Sequence, residues 1–158
     1  MKIKKYTDVN KFINCNSNKQ RFIAYTGKEN PTMVGLSRAI NLTQKFPDSS
    51  IAHISKSFLH MKKCINETVN ILKELKIKFI FNKCDNTIKL IDLSGVLIFA
   101  NIDNLYILTG GITLAHAVLD GINTHNELII LKISSRVREV LPERNNTLSF
   151  VGLNDNNN

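Results

Sequence analysis

The chain has 158 residues, 21 basic and 13 acidic, for a net charge of +8; that length suits one domain that buries roughly two-thirds of its unfolded surface without a disulfide or metal staple. Three cysteines, Cys15, Cys64 and Cys84, without a CxxC spacing read as unpaired thiols of a reducing compartment. No apolar run nears the ~20 residues of a membrane span and no apolar core follows Lys2, Lys4 and Lys5, so a cytoplasmic protein without a membrane partner is expected, its charge suiting DNA or an acidic protein surface.

Residues 1–20 read as a polar flank with one short helix at 8–13, where Val9, Phe12 and Ile13 follow i, i+3, i+4 spacing. FIAY at 22–25 is a strand that breaks at Thr26-Gly27. Pro31 suits the first turn of a helix, since its missing N–H costs nothing there, and Met33, Val34, Leu36, Ile40 and Leu42 give that helix an apolar face up to Phe46-Pro47. SIAHI at 50–54 is a second strand. Ser55 or Ser57 caps a long amphipathic helix from Phe58 to Leu75.

KFIF at 78–81 is a third strand, and 87–91 with 96–100 form a hairpin turned at 92–95. After a break at Gly110-Gly111, LAHAVL at 114–119 is a buried strand that delivers Asp120 to the carboxyl edge of the sheet, where open α/β folds bind ligands. The stretch 127–137 is assigned to helix, 147–151 to a last strand and 154–158 to a disordered Asn-rich tail. The single α/β domain is placed at 21–153.

Strand, glycine turn, helix is the layout that offers backbone N–H groups and a helix dipole to phosphate. Gly27, Lys28, Thr32 and Asp120 are the one nucleotide site that can be assembled from this layout. His60 and Cys64 lie four apart on a helix, a spacing open to metal ligation; with His53 and Cys84 placed only by guess, they read as a surface histidine and a buried thiol, and no metal is assigned. His116 reads as a hydrogen-bonded core residue. No nucleophile sits at an elbow such as GxSxG, and no catalytic residue is assigned. Lys56, Lys62, Lys63, Lys73, Lys76 and Lys78, with Arg136, Arg138 and Arg144, read as a solvated basic face. Phosphate or partner contacts by Lys62, Lys63, Arg136 and Arg138 are the functional alternative.

Over residues 19–155 the order of elements resembles the ATPase domain of phage large terminase subunits, a P-loop NTPase of DNA packaging. KQRFIAYTGKENPTMVGLSRAI resembles the family's first strand and phosphate loop, and SSIAHISKSFLHMKKCINETVNILKEL its second strand and helix. NTIKLIDLSGVLIFANIDNLYILTGG resembles its hairpin and following loop, LAHAVLDG its strand ending in Asp-Glu, and ISSRVRE its arginine-bearing helix.

The resemblance implies a three-layer P-loop-NTPase-like fold with a mostly parallel sheet and an inserted β-hairpin, with ATP and Mg²⁺ as the cofactors of an intact site. An intact phosphate loop reads GxxxxGK and then Ser or Thr, because glycines let the backbone wrap phosphate, the lysine neutralises it and the hydroxyl holds Mg²⁺. In YTGKENPT (25–32) Asn30 stands for the late glycine and Pro31 for the lysine, leaving Thr32; Gly121 stands for the water-activating glutamate after Asp120. These departures imply a degenerate, truncated relative, a pseudoenzyme that binds DNA or a protein partner such as a packaging-motor component, in host cytoplasm if phage-encoded. The alternatives are a weak ATPase of DNA packaging using Lys28 and Asp120, and an unrelated basic α/β adaptor or nucleic-acid-binding module.

Overall fold

A computed structural model describes residues 1–15, 20–108, 112–139 and 146–153, with the backbone alone at 106–108. The Gly110-Gly111 break, Arg144 and the tail at 154–158 lie outside the described residues. In chain order the elements are β1 (Ile3–Tyr6), α1 (Val9–Ile13), β2 (Phe22–Tyr25), α2 (Pro31–Lys45), β3 (Ser50–Ser55), α3 (Phe58–Glu74), β4 (Phe79–Asn82), β5 (Thr87–Leu90), β6 (Val96–Asn101), a 3₁₀ segment (Ile102–Leu108), β7 (His116–Asp120), α4 (Glu127–Ser134) and β8 (Thr147–Val151). The strands form one sheet in the order β1-β2-β8-β7-β3-β6-β5-β4. Pairings from β1 through to β6 are parallel; β6 with β5 and β5 with β4 are antiparallel.

The central strands are buried on both faces, which is why their sequences run apolar without alternation. Ile51 and Val118 pack with Leu36, Ile40, Met61 and Ile65 of α2 and α3. Ala52, Ile54, Ala117 and Leu119 face the opposite layer, where α4 contributes Ile130 and Ile133. The result is the expected three-layer α/β arrangement. One consequence matters for function: His53 and Asp120 share parity with Ile51 and Val118 and lie under the α2 and α3 layer.

The helix starts follow the capping chemistry legible in the sequence. Asn30 Oδ1 accepts from Met33 N at 3.2 Å, with Pro31 at the first helical position, and Ser57 Oγ accepts from His60 N at 3.2 Å. Gly35 sits mid-helix because α2 presses on the sheet there: a Cβ would fall 2.9 Å from Val151 Cγ2 and 3.2 Å from Val118 Cγ1.

Two stretches differ from the sequence reading. The polar flank contains β1, which pairs with β2 from Ile3↔Phe22 to Tyr6↔Tyr25. Its exposed Lys4 and Lys5 hide the apolar pattern, and such charges are what guard a sheet edge. The predicted hairpin forms, with Ile88 opposite Leu97, and its second leg, β6, also serves as an inner parallel strand against β3.

The N-terminal elements are tied down by Arg38 of α2, whose side chain is fully buried. Its guanidinium donates to the carbonyls of Phe12, Ile13 and Cys15 at the end of α1, and to Ser149 Oγ and Thr147 Oγ1 on β8. These carbonyls lie at the negative end of the α1 dipole, so a cation with no carboxylate partner among the described residues is stabilised there. Burial lowers the Arg38 pKa to about 10, and the group stays charged at neutral pH.

Candidate functional site

Two features meet at the carboxyl edge of the parallel strands: the turn from β2 into α2, and Asp120 at the end of β7. One strand, β8, separates β2 from β7.

The turn is filled by its own residues. Glu29 N donates to the Tyr25 hydroxyl at 3.0 Å, so one N–H of the loop is already taken by a phenol. Gly27 is required because a Cβ there would run into that hydroxyl and the Thr7 carbonyl. At the start of α2, Pro31 has no N–H and Met33 N is held by the Asn30 side chain. A loop that wraps phosphate needs these donors turned outward. The hollow lined by Tyr25, Thr26, Gly27, Pro31, Gly152 and Leu153 measures about 110 Å³, well under the roughly 300 Å³ at which small-molecule sites begin.

Asp120 is buried beneath the first turn of α3. His60 Nε2 donates to Asp120 Oδ2 at 2.8 Å, and Thr32 Oγ1 lies 3.4 Å from the same nitrogen. The imidazole therefore stands between the Thr32 hydroxyl and the Asp120 carboxylate. Cys64, one turn further along α3, has a buried thiol that accepts from Ser55 Oγ at 3.7 Å. Burial raises its pKa to about 11.

His53 completes the group from β3. It is fully buried, and among the described residues neither ring nitrogen has a hydrogen-bond partner; Nε2 lies 3.7 Å from Asp120 Oδ2. Burial pushes its pKa down to about 4 against the attraction of Asp120. A neutral imidazole still has one donor and one acceptor to satisfy, and each left unpaired costs about 1–3 kcal/mol.

Gly121, which follows Asp120, has φ +72° and lies under the Lys56 side chain, with a Cβ falling 3.0 Å from Lys56 Cδ. Backbone conformation and space both disfavour a carboxylate side chain at that point.

Of the residues predicted from sequence, Thr32 and Asp120 are brought together, bridged by His60. Gly27 serves the turn, and Lys28 is exposed on it. Lys62 stacks over the Phe58 ring at 5.3 Å and Lys63 is exposed, both on α3. Arg136 and Arg138 are not at this edge. α4 ends at Ser134, and the chain turns back so that Leu114 N donates to the Arg136 carbonyl at 2.7 Å. Leu114 precedes β7, whereas Asp120 ends it; at ~3.3 Å per residue the two edges are about 20 Å apart. His116 is the core residue expected, its Nδ1 accepting from Thr147 N at 3.1 Å. Cys84 lies exposed in the β4–β5 turn, apart from the other candidate ligands. The residues sequence reasoning underrated are His53 and His60: the spacing of His60 and Cys64 was a signal, but the partners on β3 and β7 are set by tertiary pairing.

Solved structures share this fold. The large terminase of a thermophilic bacteriophage superimposes with a TM-score of 0.60 at 14% identity, over 80% of this chain and 32% of its own. The same phage protein in complex with ADP gives 0.57 at 17% identity, over 74% and 29%. The ATPase domain of the Thermus phage P74-26 large terminase gives 0.59 at 15% identity, over 90% and 63%. The chain thus spans 32% of the first of these terminases and 63% of the Thermus phage ATPase domain. No protein-family model and no curated protein sequence matches it. At these identities the likeness is one of fold: the chain has the P-loop-NTPase-like fold of a phage terminase ATPase domain.

Proposed function

We propose that this chain is a terminase-ATPase-like domain that has lost nucleotide turnover and acts through binding, to DNA or to a protein such as a packaging-motor component, in a phage or mobile-element setting. The observation that carries this reading is the position of His60. Its Nε2 lies 2.8 Å from Asp120 and 3.4 Å from Thr32, the two side chains that would hold a nucleotide's Mg²⁺ in an intact site. Around it the lysine position is Pro31, the glutamate position is Gly121, and the loop N–H of Glu29 is held by Tyr25. What remains is a fold with a net charge of +8, suited to a polyanion or an acidic surface.

The test is thermal unfolding and phosphate release with millimolar Mg-ATP. A site filled ~100-fold above its Kd would add about 2.7 kcal/mol, several degrees for a domain of this size. The expected result is no shift and no release, together with duplex DNA or partner binding that weakens steeply with salt. An ATP-dependent shift that disappears in Lys28→Ala would instead establish a working nucleotide site.

A further inference from the structure

We propose that His53, His60, Cys64 and Asp120 form a zinc site roofed by α3, a site of different chemistry from the Mg²⁺-nucleotide position its location suggests. Three elements converge on it. β3 delivers His53, β7 delivers Asp120, and α3 delivers His60 and Cys64 at i and i+4 on one face of the helix.

The donor atoms of His53, Cys64 and Asp120 lie within 4.8 Å of one another, and His60 Nε2 is 2.8 Å from Asp120 Oδ2. Tetrahedral zinc, with bonds of about 2.0–2.3 Å, needs ligand atoms about 3.3–3.6 Å apart. His53, Cys64 and Asp120 reach that spacing by side-chain adjustments of about 1–1.5 Å, and His60 turns in from Asp120 as the fourth ligand.

The independent pointer to a ligand is His53. Its side chain is wholly buried, aimed at Asp120, and among the described residues neither nitrogen has a hydrogen-bond partner; a metal on one nitrogen would satisfy the lone pair that protein groups leave unused. Charge also balances. The Asp120 carboxylate and a Cys64 thiolate neutralise a dication in a site where unpaired charge is strongly disfavoured, the thiol proton leaving to solvent as the metal–sulfur bond forms. Two imidazoles, a thiolate and a carboxylate match zinc and are wrong for Mg²⁺, which takes oxygen ligands. His60, with 17% of its side chain exposed, is the ligand on the side by which metal enters.

The test uses the full chain without a histidine tag, stripped with chelator under reducing conditions and titrated with Co²⁺. The expected result is one equivalent of Co²⁺ with the visible bands of a tetrahedral site and a thiolate charge-transfer band, displaced by Zn²⁺ and unaffected by millimolar Mg²⁺. Zn²⁺ at ~100-fold excess over its Kd should raise Tm by about 5 °C or more. Cys64→Ser should abolish the charge-transfer band while Cys84→Ser retains it. His60→Ala, at the partly exposed ligand and expected to fold, should weaken Co²⁺ affinity at least tenfold. Absence of tetrahedral bands in folded wild-type protein, or bands unchanged in both Cys64→Ser and His60→Ala, would overturn the proposal.

Discussion

Arg38 and His53 are both fully buried on the helical α2 and α3 side of the sheet, and they differ in one respect. Among the described residues Arg38 donates five hydrogen bonds, to three carbonyls and two hydroxyls, and His53 makes none. A buried polar group with every partner in place is architecture, since its removal strands the groups around it. A buried polar group without hydrogen-bond partners, packed through its ring against Phe99, points to a ligand. The same contrast separates the two ends of the sheet. At the amino end Arg21 donates to Ser134 and Val137 and fastens α4 in place, whereas at the carboxyl end Asp120, His53, His60 and Cys64 gather reactive atoms in a small space.

The largest effect should come from Arg38→Met, which leaves the Phe12, Ile13 and Cys15 carbonyls without their donor. A loss of about 3–5 kcal/mol in chemical unfolding is expected, with α1 and β1 the first to gain hydrogen exchange; a loss under about 1 kcal/mol would break the contrast from the Arg38 side. Next in size is acid sensitivity of chelator-treated protein. The folded His53 pKa of about 4 lies below the unfolded 6.5, so the unfolded state binds the extra proton. The stability His53 allows is fully present above pH 6.5 and falls as pH drops towards 4, by up to about 3 kcal/mol. Urea midpoints from pH 7.5 to 4.5 measure this, and His53→Leu should flatten the slope.

Smaller effects sharpen the account. Gly121→Glu should cost about 1–2 kcal/mol, because φ is +72° there and Lys56 covers the position, and it should not create phosphate release; turnover in this variant would mean the edge needs only the missing carboxylate. His53→Leu, in metal-free protein at pH 7.5, should lose no more than about 1 kcal/mol of stability, since it removes unpaired nitrogens and keeps most of the volume. A loss comparable to that of Arg38→Met would show that His53 is architectural after all.

Much of the fold was legible in the sequence because it is written in local signals. The apolar strands at 22–25 and 147–151, the Ser57 cap and Pro31 at the start of α2 all stand where propensity puts them. β1 was not legible, since Lys4 and Lys5 break the apolar pattern and its partner β2 lies beyond α1. The site was legible only in part. Asp120 follows from a buried strand ending at the carboxyl edge, but its neighbour His60 is sixty residues away in sequence, and helical spacing alone leaves that imidazole facing solvent. Arg38 reads as one more basic residue on a helix until its five acceptors are seen. Arg136 and Arg138 read as part of a solvated basic face beside a helix over 127–137, whereas α4 stops at Ser134 and the arginines follow it at the edge opposite Asp120.

The most direct test of the central claim, that His60 holds the place between Thr32 and Asp120, is a long-range ¹H–¹⁵N correlation spectrum of the imidazoles in metal-free protein, before and after millimolar Mg-ATP. The account predicts that His60 carries its proton on Nε2, bonded to Asp120, that His53 is neutral at pH 7, and that Mg-ATP moves neither. Displacement of both resonances by Mg-ATP, with His60 losing its hydrogen-bonded Nε2 signal, would contradict it and return this edge of the sheet to nucleotide.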